Sequence, residues 1–248
     1  MHNAALRAVG LHGWRYQLLP VPPGLLEETV RALPAAGFRG VNVTIPHKEA
    51  ALALAAQATD AASSIGAANT LSFDAEGAIE ADNTDAPALI GAIPFAPAGR
   101  TALVLGAGGS ARAAVWALRS AGASEVRIWN RHTERAEGLA DELGGVAVDH
   151  VEPADLLVNC TPVGMDGDPA AFKQLPVRAD EVSMYACVVD LVYSHAETPL
   201  ISAANARGVP AVDGLELLVR QGALSFERFT GRGPPVEVMR AAARAEKQ

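Results

Sequence analysis

The chain has 248 residues, half of them hydrophobic and 19% charged, with a net charge of −8 and a pI of about 5.2. That length buries one large core or two modest ones, and the composition is too apolar for a disordered chain. The absence of a basic stripe argues against nucleic acid. Apolar runs broken by Gly, Pro or charge before about 18 residues argue against a membrane span, and Met1-His2-Asn3 does not open a signal peptide. The two cysteines, Cys160 and Cys187, lie in apolar strand-like runs and read as free thiols in a reducing cytoplasm. The six histidines have no metal-ligand spacing and no cysteine or carboxylate cluster beside them, so no metal is expected.

In chain order, an amphipathic segment opens the sequence. Strands are expected at 15–19 and 40–43 with a helix at 25–35 between them, and a further helix after Pro46. Strand-like runs at 69–73 and 78–82 flank Asp74-Ala75-Glu76-Gly77, which reads as a hairpin turn. A helix at 86–93 leads into the Pro/Gly-rich break 94–100. Beyond it, 101–105 is a continuous apolar run, the mark of a strand buried on both faces of a parallel sheet. Similar runs follow at 126–129, 156–160 and 188–191, with helical patterns at 111–121 and 134–143 between the first of them. The end, 215–229 and 236–245, reads as two helices. The expected fold class is therefore α/β in two domains, an N-terminal α/β domain over 1–97 and a doubly wound parallel sheet over 98–214, with the helices from about 215 to 248 packing back on the first.

Gly106-Ala107-Gly108-Gly109-Ser110-Ala111 follows the first strand of the second domain and fits the dinucleotide fingerprint. A first glycine makes the tight turn, a second lets backbone approach a pyrophosphate, and the helix N-terminus faces the phosphates. The next strand ends at Trp129-Asn130-Arg131, with Arg135 one helical turn on. An NAD enzyme carries an acid there for the ribose 2′-hydroxyl. Two guanidiniums in its place suit a 2′-phosphate, so NADP is the expected cofactor.

Only three of the 20 basic residues are lysines: Lys48, Lys173 and Lys247. In so arginine-rich a chain, lysine is retained where an ammonium must be able to release a proton. Lys48 stands in Asn42-Val43-Thr44-Ile45-Pro46-His47-Lys48; the plain alternative is an exposed lysine in a helix's first turn. Further polar clusters sit at segment ends: Asn69-Thr70, Asn83-Thr84-Asp85, Asn159-Cys160-Thr161-Pro162, Tyr193 and Gln221. Each also reads as a cap or a turn.

Taken together these runs resemble the shikimate dehydrogenase family. The matching stretches are NVTIPHK (42–48), AANTL (67–71), DNTD (82–85), GAGGSARA (106–113), NR (130–131), NCTPVGM (159–165), DLVY (190–193), TPL (198–200) and GLELLVRQGA (214–223). The resemblance implies an N-terminal substrate domain, a C-terminal Rossmann-type NADP domain, and reversible NADPH-dependent reduction of 3-dehydroshikimate to shikimate in the cytoplasm. It makes Lys48 and Asp85 the catalytic pair. It gives Thr44, Asn69, Tyr193 and Gln221 to the substrate's hydroxyl and carboxylate groups. It assigns Gly106, Ala107, Gly108, Gly109, Ser110, Asn130, Arg131 and Arg135 to NADP, places Leu191 and Gly214 near the nicotinamide, and adds Asp60 as a cofactor contact. The oligomeric state stays open, a homodimer included, as does whether Lys48 is the acid–base group or an electrostatic stabiliser.

The chain departs from the family pattern in three places. The NRT motif reads Asn130-Arg131-His132-Thr133, and Leu217 stands where the family has Met. The family's opening strand and its Ser-x-Ser-Pro run, which holds the substrate carboxylate, do not precede His2-Asn3. The expectation from this is that Met1 is an internal methionine of a longer chain, and that this chain has a weakened first domain and a raised KM. Two other readings are a quinate/shikimate dehydrogenase, with the methylenetetrahydrofolate dehydrogenases a more distant relation, and a non-catalytic NADP-binding remnant.

Overall fold

The computed structural model describes residues 1–165, 168–194 and 196–245. They fall into two units, Met1–Asp85 with Val219–Ala245, and Ala86–Leu218. The division thus falls ahead of the Pro/Gly break at 94–100. The helix before that break packs its Leu89 and Ile93 into the second unit's core, which outweighs the local turn signal. The C-terminal helices return to the first unit as far as Ala245; residues 246–248 lie outside the described residues.

The first unit runs α1 (His2–Ala8), α2 (Leu26–Ala32), β1 (Gly40–Asn42), α3 (Lys48–Ala53), β2 (Gln57–Ala58), α4 (Asp60–Ile65), β3 (Thr70–Phe73) and β4 (Ile79–Asp82). Its sheet has the order β1-β3-β4-β2, with β2 parallel to β4 and the other pairs antiparallel. The hairpin expected at 74–77 is present: Asp74 Oδ1 accepts the Glu76 and Ala78 N–H groups at 3.1 and 2.7 Å. Residues 15–19 are not a strand. The Asn3 side chain takes both backbone groups of Tyr16, each at 2.8 Å, where a ladder partner would otherwise sit. The helix expected at 25–35 is shorter, a 3-10 turn over Pro23–Leu25 leading into α2.

The second unit follows from α5 (Asp85–Ala92), which begins on the last residue of the first. It continues with β5 (Thr101–Leu105), α6 (Gly109–Ser120), β6 (Glu125–Trp129), α7 (Thr133–Leu143), β7 (Val146–Ala147), β8 (Leu156–Asn159), β9 (Cys187–Asp190), α8 (Pro199–Asn205) and β10 (Ala211–Val212). Its six strands are all parallel, in the order β10-β9-β8-β5-β6-β7. Alternation along β5 shows why the apolar runs are continuous: Ala102 and Val104 face one core layer with Val115 and Leu118 of α6, while Leu103 and Leu105 face the other with Leu200 and Ala204 of α8. The chain winds outwards from β5 in one direction through β6 and β7, and in the other through β8, β9 and β10. The loop after β5 therefore stands at the switch point, where doubly wound sheets bind ligands. The last two helices are α9 (Gly214–Thr230) and α10 (Val236–Ala245). α10 packs on α1 around Met239 and Phe226.

Candidate active site

Lys48 is the first residue of α3, and its backbone is pinned from both sides. Thr44 O accepts the His47 N–H at 2.9 Å, the His47 ring nitrogen donates to Val21 O at 2.8 Å, and Lys48 O accepts the Ala68 N–H at 2.8 Å. The side chain is not an exposed surface lysine. Its Nζ donates to Asp85 Oδ2 at 2.7 Å, with the two side chains only 11% and 18% exposed. Asp85 opens α5, where Asn83 Oδ1 accepts its backbone N–H at 3.1 Å and Asn83 Nδ2 donates to Ala67 O. The second carboxylate oxygen, Oδ1, accepts from Asn69 Nδ2 at 2.8 Å.

Asn69 is buried and fully engaged. Its Oδ1 accepts the Thr84 N–H at 2.8 Å, with the Thr70 and Thr84 hydroxyls at 3.0 and 3.1 Å. Gln221, on α9, brings its Oε1 to 3.4 Å from both Asn69 Nδ2 and Thr84 Oγ1. Lys48, Asn69, Asp85 and Gln221 therefore meet in one hydrogen-bonded cluster within the first unit. Thr44 lies in the turn after β1, exposed, and its hydroxyl is outside that cluster. An ammonium held against a carboxylate and largely shielded from bulk water can polarise a carbonyl oxygen and deliver a proton to it.

In the second unit, Gly106 has φ +111°, and a Cβ there would stand 3.3 Å from the Cys160 carbonyl carbon and oxygen. Gly108 is extended and caps α6, with open space where a Cβ would be. Ala107 completes the loop, Gly109 and Ser110 open α6, and the first N–H groups of a helix have no acceptor within it. After β6, Asn130 Nδ2 donates to His132 O at 2.9 Å and shapes the turn. Arg131 and Arg135 are exposed, without an ion-pair partner among the described residues, and no acid ends β6. A tight turn at Gly106, open space beside Gly108 at a helix start and two unengaged guanidiniums fit a dinucleotide bearing a 2′-phosphate.

Leu191 and Tyr193 follow β9. Leu191 packs at the margin of the core and Tyr193 is 48% exposed. Gly214 starts α9, where a Cβ would lie 2.3 Å from Val192 O, so only glycine lets the helix begin there. Asp60 is in the first unit, in the first turn of α4, where its charge suits the helix dipole; nothing local to it marks a cofactor contact. One cluster carries no role from sequence reasoning. Asp190, at the end of β9, is completely buried and accepts from Thr198 Oγ1 at 2.6 Å, Asn159 Nδ2 at 2.9 Å and the Val192 N–H at 3.1 Å. Burial pushes its carboxyl up to about 6, with the Asp213 charge adding to the shift and the three hydrogen bonds opposing it. The signal was present in the runs DLVY and TPL, but nothing in a sequence says that positions 190 and 198 touch. Cys187 is buried with its thiol raised to about 11, and neither cysteine is in a disulfide.

Comparisons with known proteins point to one family. Residues 1–71 match the shikimate dehydrogenase substrate binding domain, 94–161 match shikimate / quinate 5-dehydrogenase, and 214–244 match the shikimate 5'-dehydrogenase C-terminal domain. Shikimate dehydrogenase (NADP(+)) of Paracoccus denitrificans is 44% identical, covering 96% of this chain and 87% of its own length. The solved shikimate 5-dehydrogenase of Thermus thermophilus, in complex with NADP(H) and shikimate, has a TM-score of 0.87 at 40% identity, covering 98% of this chain and 92% of that one. The ligand-free 5-ketofructose reductase of a Gluconobacter strain has a TM-score of 0.86 at 30% identity, covering 99% and 92%. On these similarities, carried over nearly its whole length, the chain belongs to the shikimate dehydrogenase family.

Proposed function

We propose that this chain catalyses the reversible, NADP-dependent interconversion of shikimate and 3-dehydroshikimate, a step towards aromatic amino acids. The observation that carries the reading is the shielded Lys48–Asp85 pair with Asn69 and Gln221 on one unit, in a chain whose other unit holds a glycine cradle and Arg131/Arg135 in place of an acid. NADPH, held by residues 106–110, Asn130, Arg131 and Arg135, would supply a hydride to the ketone carbon. The oxygen then gains alkoxide character, and Lys48 Nζ delivers a proton to it while Asp85 fixes the ammonium's position. In the reverse direction Lys48 receives the hydroxyl proton. Asn69, Gln221, Thr44 and Tyr193 bind the substrate's hydroxyl and carboxylate groups. Residues 106–110, Asn130, Arg131 and Arg135 hold the nucleotide, Leu191 and Gly214 border its nicotinamide, and Asp60 is the least supported of the cofactor contacts. Two cysteines outside any disulfide, Cys160 and Cys187, suit a cytoplasmic enzyme, acting alone or as a homodimer.

The test is initial-rate kinetics on the purified chain with shikimate, quinate or 5-ketofructose, each with NADP and with NAD. Shikimate with NADP should give the highest kcat/KM. Failure to turn over shikimate with either cofactor would refute the assignment, and preference for 5-ketofructose would move the chain to the reductase side of its neighbours.

A further inference from the structure

Asn42 opens the run that ends at Lys48, yet it touches neither Lys48 nor Asp85 in the cluster described above. Its side chain lies at one end of a line of amides and hydroxyls whose directions can be worked out. Tyr16 OH donates to Asn42 Oδ1 at 3.1 Å, and Ser225 Oγ lies 3.2 Å from the same oxygen. Both neighbours are hydroxyls, and the Ser225 proton also has Gly222 O at 3.1 Å, so the direction is read from the other end: Asn42 Nδ2 lies 3.3 Å from Thr70 Oγ1 and donates to it, because the Thr70 proton is spent on Asn69. A hydroxyl has one proton to give. Thr70 accepts from Asn42, and its own proton meets Asn69 Oδ1 at 3.0 Å, nearer than Thr84 Oγ1 at 3.3 Å. The Thr84 N–H takes the other side of the Asn69 oxygen at 2.8 Å. That leaves the Asn69 NH2 facing Asp85 Oδ1. A rotated Asn69 would set a carbonyl oxygen against a carboxylate, two acceptors without a proton, in a place where Thr70 is fully buried and Asn69 nearly so.

We infer that Asn42 and Thr70 are positioning residues: together with the Thr84 N–H they hold the Asn69 amide with its NH2 facing Asp85, and through Asp85 they set where the Lys48 ammonium points. The kinetic consequence rests on the dehydrogenase reading above, whereas the orientation of Asn69 does not.

Thr70→Val keeps the shape of the side chain and removes its proton; Thr70→Ser keeps the proton. For shikimate oxidation by the whole chain, Thr70→Val should lower kcat by about ten- to thirtyfold, with KM and NADPH affinity within about threefold, and Thr70→Ser should stay within about threefold of the parent. Asn42→Asp replaces the donor by an acceptor that draws the Thr70 proton away from Asn69. It should reproduce the kcat loss, and in the Thr70→Val background it should add less than about twofold. Additive losses would mean a plain charge effect on the pair and would overturn the relay. A second readout needs no turnover: hydrogen exchange of the Asn69 side-chain NH2, followed by 15N NMR and assigned by its loss in Asn69→Ser. Exchange should quicken by at least about tenfold in Thr70→Val and in Asn42→Asp, and not in Thr70→Ser. If the parent fails to turn over shikimate, the functional reading falls and the exchange data still decide the orientation. Unchanged exchange in both Thr70→Val and Asn42→Asp, or a Thr70→Ser variant as impaired as Thr70→Val, would sink the inference.

Discussion

Asp85 and Asp190 are each gripped through one carboxylate oxygen by an asparagine amide, at 2.8 and 2.9 Å; Asp85 lies just beyond β4 and Asp190 ends β9. Their second oxygens meet opposite kinds of neighbour. Asp85 faces the Lys48 ammonium at 2.7 Å and stays partly open to solvent. Asp190 faces the Thr198 hydroxyl at 2.6 Å, is completely buried, and has no cation beside it among the described residues. The same amide grip therefore holds the lysine–carboxylate pair of the proposed mechanism in one unit and a latch in the other, tying the end of β9 to the start of α8. What separates them is the presence of a counter-charge, because a buried carboxylate without one moves towards its neutral form.

The largest expected effect comes from removing that counter-charge from the first unit. Lys48→Ala should lower kcat by about 10²- to 10⁴-fold, the span usual for a general acid–base group. NADPH affinity, measured by fluorescence titration, should hardly change, since the glycine loop belongs to the other unit. An undiminished kcat would remove Lys48 from the mechanism and leave the two aspartates functionally alike.

The next effect concerns the latch. Asp190 titrates near 6 when folded against about 3.8 when unfolded, so the folded state holds its proton more tightly. The stability this provides is complete below pH of about 4 and is lost as pH rises through about 6, a change of about 3 kcal/mol. Asp190→Asn can still accept from Asn159 and Val192 and can donate to Thr198, so it should fold. Urea unfolding of both proteins at several pH values should show the parent losing stability relative to Asp190→Asn between about pH 4 and 6.5. A constant difference would mean Asp190 is not raised.

The smallest effect is one of selectivity. Arg131→Ala should weaken NADP by about ten- to a hundredfold, each charge-assisted contact contributing roughly 1.5–3 kcal/mol, and should leave NAD and shikimate almost unaffected. Equal use of NADP and NAD by the parent would show that the guanidiniums after β6 do not select the cofactor.

The second unit was the easier to read from sequence. Strands such as β5 and β9 are buried on both faces, so their apolar runs are unbroken, and the glycine loop has to follow one of them directly. The first unit was harder because its elements are short and its sheet is mixed. β2 has two residues, and residues 15–19 carry a strand-like pattern while Asn3 occupies the Tyr16 backbone. Lys48 and Asp85 were found by residue type and motif, but their contact was not, because 37 positions separate them. The Asp190 latch and the Asn42–Thr70 line were missed for a related reason: threonine and asparagine at segment ends are common as caps, and only the folded arrangement gives their hydrogen bonds a direction.

Asn69 has a consequence for how the protein would age. Hydrolysis of its side-chain amide, which consumes one water and releases one ammonia for a mass gain of roughly one dalton, would put a second carboxylic acid where a donor now lies 2.8 Å from Asp85. Two carboxylates that close share a proton, and one of them is pushed towards the neutral form. A pool of stored protein would then contain molecules that fold and bind nucleotide normally and yet hold their lysine against a half-protonated pair, a defect that mass spectrometry would detect before any spectroscopic measure of folding.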